Sequence, residues 1–485
     1  MTYGGVLQQS GSDIQSGIVF EQETDLMPTD KTPTDPIDGS SDKAGDKATD
    51  RATDKATDET TNKTNNNKTS RSAPQSATQS ATQQVPVKAT GPRPLDGLKV
   101  LELGQLIAGP FASKILAEFG ADVIKVEPPA GDPLRKWRYI HEDTSVWWAA
   151  HARNKRSITI DLRQPEGQEL VRMLAKEADI LIENFRPGAM EKWGLGFEQL
   201  HAINPKLIML RVSGYGQTGP YKDRPGFGVI GEAMGGLRYL SGEPGRPPVR
   251  VGVSIGDTLS GLHGVIGVMM ALRHREMQNG TGQEIDVALY ESVFNMMESL
   301  IPEYSKFEAV RQPSGASMPG IAPTNAYPTA DGKYALIAGN GDSIFKRLMV
   351  LIGREDLAND PALQDNVGRA KNADKLDEAI SEWSQQRTLD EVLEKLNEAN
   401  VPSGRSYDAA DIAHDPHYHA RDMILQTTLP DGSPIDVPGV VPKLSKTPGQ
   451  VDRLAPTLGE HTEEILNELR VDEATKKGWK DKGVV

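Results

Sequence analysis

No cysteine occurs among the 485 residues, which excludes disulfides, thiolate-ligated zinc, iron–sulfur clusters and thiol nucleophiles. A basic surplus is also missing: 54 Lys+Arg stand against 68 Asp+Glu, so the chain offers no general affinity for nucleic acid or anionic lipid. Long apolar runs are absent too. The longest strictly apolar stretch lies within 264–272, short of the roughly 20 residues that span a bilayer. No basic residue precedes Lys31 and no apolar signal core accompanies the start, so neither a secretory nor a mitochondrial leader is visible. The expectation is a cytoplasmic protein without nucleic-acid or membrane partners.

What is present divides into a polar extension and a core. Residues 1–90 contain only two aromatics, Tyr3 and Phe20, too few to seed packing. Asp42, Asp46, Asp50, Asp54 and Asp58 mark a four-residue repeat without an apolar stripe, and Asn, Thr, Ser and Gln come next. This segment reads as a disordered acidic tail. From Pro94, strands alternate with helices: an apolar strand at Lys99–Leu103, a helix ending at Gly120, a strand at Asp122–Glu127, then strand-like runs at 155–162, 179–183 and 206–213. That alternation predicts a doubly wound, Rossmann-like α/β domain over 94–310. A Pro/Gly/Ser-rich linker at 311–323 leads to a smaller α+β domain at 324–428, with a returning segment at 429–470 and a tail at 471–485.

Several motifs invite chemistry. Gly104 and Gly109 punctuate the first βα turn, but their spacing lacks the Gly-x-Gly-x-x-Gly that admits a pyrophosphate, which argues against dinucleotide binding. Gly252-Val-Ser-Ile-Gly256 matches the nucleophile elbow of serine hydrolases, with Val249–Val253 as its strand and Ser254 as its nucleophile. Asp257 opens the helix 257–274, as an N-cap or as an ionised carboxylate oriented by the helix start; spacing alone does not choose. His414, His417 and His419 match no standard metal-ligand spacing, so no metal is expected. Lys155-Arg156 is a basic pair open to water or phosphate. Glycine-rich turns at 214–219, 226–236 and 339–341 mark close backbone approaches.

Taken together, Leu95-Asp-Gly-Leu-Lys-Val-Leu-Glu-Leu-Gly104, Ile107-Ala-Gly-Pro110, Asn154-Lys-Arg-Ser-Ile158, Glu183-Asn-Phe-Arg-Pro-Gly188, Val212-Ser-Gly-Tyr-Gly-Gln-Thr-Gly-Pro220, Gly280-Thr-Gly-Gln283 and Ala455-Pro-Thr-Leu-Gly-Glu-His461 resemble the family III (CaiB/BaiF-type) CoA-transferases from about 94 to 470. The resemblance implies a large Rossmann-like domain, a small domain and an interlocked homodimer. It implies coenzyme A esters and a small carboxylic acid as substrates, with no tightly bound cofactor. Asp257 falls on the family's nucleophilic aspartate. Gln105, Ile107 and Ala108 fall on the loop lining the CoA site, and Asn184, Phe185, Lys192, Leu162 and Arg163 fall on further CoA-side positions. Trp137 and Phe227 match aromatics near the acyl end, with Gly339 and Gly341 as a short substitute for an active-site glycine loop.

The departures are informative. Pro128 and Pro225 replace basic positions, and Gly228 replaces a carboxylate. The lack of a long glycine loop points away from oxalate and toward succinyl-CoA with malate, citramalate or other dicarboxylates. The same fold serves α-methylacyl-CoA racemases, whose second acid/base would lie near Phe227, a residue that cannot move a proton. His263, six residues after Asp257, is a poor substitute. The expected reaction is CoA transfer through an aspartyl anhydride and an aspartyl-CoA thioester, with a racemase, a Ser254 hydrolase or a non-catalytic CoA-binding protein as alternatives.

Overall fold

The computed structural model describes residues 91–278 and 280–485, so the extension at 1–90 lies outside the described residues. Six short strands with apolar cores form one parallel sheet: β1 (Lys99–Glu102), β2 (Asp122–Glu127), β3 (Lys155–Thr159), β4 (Ile180–Glu183), β5 (Ile208–Ser213) and β6 (Glu284–Ala288). Their spatial order is β3-β2-β1-β4-β5-β6. The order of winding therefore reverses between β1 and β4, and the crevice beyond the carboxyl ends of those two strands is where open α/β sheets bind ligands. β4 and β5 are buried along their full length, as strands covered on both faces must be.

Four helices position the site: α1 (Ala108–Glu118), α2 (Pro165–Glu177), α3 (Gly228–Met234) and α4 (Ile255–Met277). α1 ends as its sequence suggests, with Gly120 at a φ of 112°, a conformation costly for any side chain. α4 is long and apolar enough, by length and composition, to cross a membrane, which a search for unbroken apolar runs does not detect. One face of it packs into the core. A Cβ at Gly261 would lie 2.9 Å from the Ala108 carbonyl oxygen, and one at Gly264 would lie 2.7 Å from the Leu210 side chain. Glycines thus let α4 approach α1 and β5 closely.

A smaller unit comes next, in which strands Thr324–Pro328, Tyr334–Ala338 and Ser403–Arg405 pair antiparallel around a core of Tyr327, Phe345, Leu348, Ile380 and Leu396. The chain then returns to the large sheet, where the Gln450 and His461 N–H groups donate to Glu118 and Ser157 carbonyls. Residues 471–485, expected as a tail, form the helix Glu473–Asp481 instead. Trp479 and Val485 pack against the β1–β4 core, and the Asp161 N–H donates to the Val484 carbonyl at 2.8 Å. Too few apolar residues lie in that stretch for a pattern to register; a few well-placed ones suffice to dock it.

Candidate active site

The loop from Gly104 to Pro110, which leaves β1 at the switch point, is held from several sides. Asn184, just past β4, accepts from the Gln105 N–H at 2.7 Å and donates to the Gln105 carbonyl at 2.8 Å. Asp132 accepts from the Leu106 N–H, where φ is a strained +63°. The buried His151 imidazole lies 3.2 Å from the Ile107 carbonyl; burial pushes its pKa down to about 3, so it is neutral and donates there.

Beneath the loop lies a buried charge cluster. Lys125 contacts Glu102 and Asp132 at 2.8 and 2.9 Å and gives a further hydrogen bond to the Gly104 carbonyl. Lys155 contacts Glu102 at 2.8 Å and donates to the Pro110 carbonyl. Burial opposes ionisation of Glu102, but the two ammonium groups outweigh it and hold its carboxyl at about 2. Burial dominates at Lys155 and lowers it to about 8. The Lys155-Arg156 pair is therefore not open to water or phosphate. Lys155 is internal, and Arg156 is spent on Asp122, Glu464 and Glu468. Pairing hides such residues from a reading of local charge.

The expected CoA-side residues gather at the carboxyl edge of the sheet. Gln105 follows β1, Leu162 and Arg163 follow β3, and Asn184 and Phe185 follow β4. Within that edge each of them already has a neighbour. Asn184 is engaged with Gln105, Arg163 is exposed but paired with Asp161 at 2.8 Å, and Phe185 packs edge-on against Trp193. Ile107 and Ala108 are buried, and Gln105 is half-exposed. Lys192 stands at the end of the short helix Ala189–Lys192 and is exposed. Asn184→Ala would strand both polar groups of the Gln105 backbone. The expected result is an acyl-CoA KM raised roughly tenfold or more with kcat far less affected; steady-state kinetics showing an unchanged KM would remove Asn184 from this role.

Asp257 occupies the third position of α4, not its cap; the helix starts at Ile255 and Ser254 precedes it. The carboxylate therefore lies within the first turn, near the positive end of the helix. Asp257 and Gly261 are four residues apart on one face, and Gly261 abuts Ala108, which sets the carboxylate one turn along from the Gln105–Ala108 loop. The hydrogen bond it receives comes from its own backbone N–H. Burial is the main force on it and the Glu232 charge the next; against the opposing pull of Arg250 they raise its pKa to about 6. Gly228 lies against it so closely that a Cβ there would sit 2.1 Å from Oδ2. Gly226, two residues earlier, abuts Gly214, so the glycine turns at 214–219 and 226–228 meet near Asp257.

The remaining expected residues take different places. Phe227 caps α3 next to Gly228 with its ring exposed. Trp137 is exposed and faces Trp147 at 6.0 Å between centroids. Gly339 and Gly341 belong to the small unit, where their close neighbours are Pro323, Leu348 and Ile344; no described contact brings them to Asp257. The hydrolase elbow is corrected: residues 249–253 form no strand, so Ser254 lacks the strand-to-helix turn that would expose a nucleophile. His263 lies six residues beyond Asp257 and hence on another face of α4. His414 and His419 contact backbone carbonyls of Ala410 and Ala413, and no metal-competent cluster occurs among the described residues.

Sequence reasoning missed Glu232 altogether. It is buried one turn after Gly228, where the family resemblance had implied the loss of a carboxylate. The i,i+4 relation to Gly228 is the signal that was available.

A doubly wound parallel sheet with a helix-borne carboxylate one turn from its switch-point loop is the frame of an α/β enzyme. More narrowly, the chain belongs to CoA-transferase family III, whose family model matches residues 95–462. It is 50% identical over 380 residues to the succinyl-CoA--D-citramalate CoA-transferase of Chloroflexus aurantiacus, covering 78% of this chain and 94% of that protein. It is 45% identical to the beta subunit of succinyl-CoA--L-malate CoA-transferase from the same organism, again covering 78% and 94%. Among solved structures, a CAIB/BAIF family protein from Brucella suis is 38% identical with a TM-score of 0.70, covering 78% of this chain and 100% of that one.

Proposed function

We propose that this enzyme moves CoA from succinyl-CoA to a second dicarboxylic acid, with Asp257 carrying the acyl group and then CoA. The observation that carries the reading is the Asp257 carboxylate itself: half-buried, without a neutralising partner in contact among the described residues, and one helical turn from the switch-point loop. Asp257 attacks the thioester carbonyl to give an aspartyl anhydride and CoA thiolate. The thiolate returns to the aspartyl carbonyl, releasing succinate and leaving an aspartyl-CoA thioester. The acceptor carboxylate then repeats the exchange in reverse. Each step trades one activated acyl bond for another, so none is steeply uphill. Holding the groups in contact supplies about 7–11 kcal/mol in well-oriented systems. Backbone N–H groups of the adjoining glycine turns are suited to the developing oxyanion.

Arg250 supports a dicarboxylic substrate. It is exposed, makes no ion pair among the described residues, and acts on Asp257 through its charge. A cation without a structural partner beside the nucleophile suits the distal carboxylate of a succinyl group. Arg250→Met is expected to raise the KM for succinyl-CoA about 10- to 100-fold, the scale of a charged hydrogen bond, while leaving butyryl-CoA nearly unchanged. Equal losses on both esters would contradict this assignment.

A homodimer belongs to the same reading, supported by apolar side chains left open around α4 and beyond it, among them Met270, Phe294, Tyr304 and Phe307. The reaction is tested by incubating the protein with succinyl-CoA and malate, citramalate, glutarate, oxalate or carnitine, with products read by mass. A new CoA ester of a dicarboxylic acid is the expected result. Release of free CoA alone, or exchange of the α-hydrogen in a 2-methylacyl-CoA, would overturn it.

A further inference from the structure

Glu232 is an acid to which the transfer chemistry gives no direct part. It shares one face of α3 with Gly228, and that face packs on the start of α4. A Cβ at Gly256 would lie 3.1 Å from the Gly228 carbonyl oxygen and 3.5 Å from Glu232 Cγ. The Glu232 side chain is only 1% exposed, and its Oε1 is buried with no hydrogen-bond partner among the described residues. An orphaned buried carboxyl is destabilising, and folds keep such groups where a site uses them. α1, β5, β6 and the helix Leu289–Phe294 also pack against α4, yet the charged groups acting on Asp257 are Glu232, from α3, and Arg250, from the segment before α4.

We propose that Glu232 is a positioning residue for the nucleophile: buried one turn beyond Gly228, on the face of α3 that packs against the start of α4, it leaves the ionised Asp257 carboxylate less stabilised and so more reactive toward a thioester. The inference rests on the proposed transfer reaction. In the step concerned, an Asp257 oxygen lone pair forms the bond to the thioester carbon and the carbonyl π pair moves to oxygen. That pair returns as the C–S bond breaks, and the thiolate leaves with its bonding electrons. No proton is exchanged, so the reactivity of the carboxylate is set by its surroundings. A carboxylate beside a like charge, and without a donor from another residue, gives up less stabilisation when its charge passes to the acyl carbon. The elevated pKa of Asp257 has the sign this arrangement requires.

Two variants test the proposal: Glu232→Gln, which removes charge and keeps shape, and Glu232→Met, which removes the polar group and remains informative if the first variant folds poorly. In the full-length protein, covalent adduct formation from succinyl-CoA is followed by rapid quench and intact mass across the acid-to-neutral range. The unaltered enzyme is expected to lose reactivity on acidification with a midpoint of about 6. Both variants are expected to move that midpoint down by about one pH unit, the scale of a neighbouring like charge. Their plateau rates should fall while their melting temperatures hold or rise. A midpoint that stays in place in the variants overturns the role of Glu232 while leaving the transfer reading intact. Absence of any adduct on the unaltered enzyme at every pH overturns both.

Discussion

Asp257→Ala is expected to abolish CoA transfer, lowering turnover by about three orders of magnitude or more, as removal of a covalent nucleophile does. Among the described residues, nothing else near Asp257 can replace it. Ser254 lacks an elbow, His263 is on another face, and the Glu232 side chain is buried. The fold should tolerate the change. The pKa of Asp257 is raised in the folded state, from 3.8 to about 6. Its ionisation therefore disfavours folding, a penalty absent below the unfolded pKa and fully developed once the pH exceeds the folded one. At neutral pH the alanine variant should melt at the same temperature as the parent or higher. Loss of activity together with a large drop in melting temperature would instead assign Asp257 a structural role.

Gly228→Ala is expected to be nearly as damaging, for a steric reason. The added methyl carbon would sit 2.1 Å from Oδ2 and 2.9 Å from Cγ of Asp257, so the carboxylate has to swing aside. Displacing a reacting group by about 1 Å can cost on the order of a hundredfold in rate. Gly228 is the first residue of α3 and has no positive φ, so alanine suits the backbone there and favours the helix. Turnover should fall roughly a hundredfold while the melting temperature holds. Kinetics within twofold of the parent would show that the carboxylate has room to spare and that its placement is not rate-determining.

Much of this architecture is legible in the sequence because burial on both faces leaves a continuous apolar record. Ile180–Glu183 and Ile208–Ser213 read as strands for that reason, and Gly120 reads as a helix end because only glycine takes that turn cheaply. The order β3-β2-β1-β4-β5-β6 is not legible, since local patterns carry no register between strands. Nor is the cluster of Glu102, Lys125, Asp132 and Lys155, whose members look like ordinary surface charges until the fold brings them together. Asp257 stands out in the sequence, but its setting does not. That setting depends on Gly228 and Glu232, which are distant along the chain and adjacent only through the packing of α3 on α4.

The role of Asp257 is tested most directly by identifying the residue that carries CoA during turnover. The enzyme is incubated with succinyl-CoA in the absence of acceptor, quenched in acid and digested, and the peptide containing Asp257 is sequenced by mass spectrometry. The predicted result is the mass of a CoA thioester on Asp257, discharged to the acceptor's CoA ester when a dicarboxylic acid is added before the quench. Discharge at the same rate with the modification on another residue, or transfer with Asp257 unmodified throughout, would contradict it.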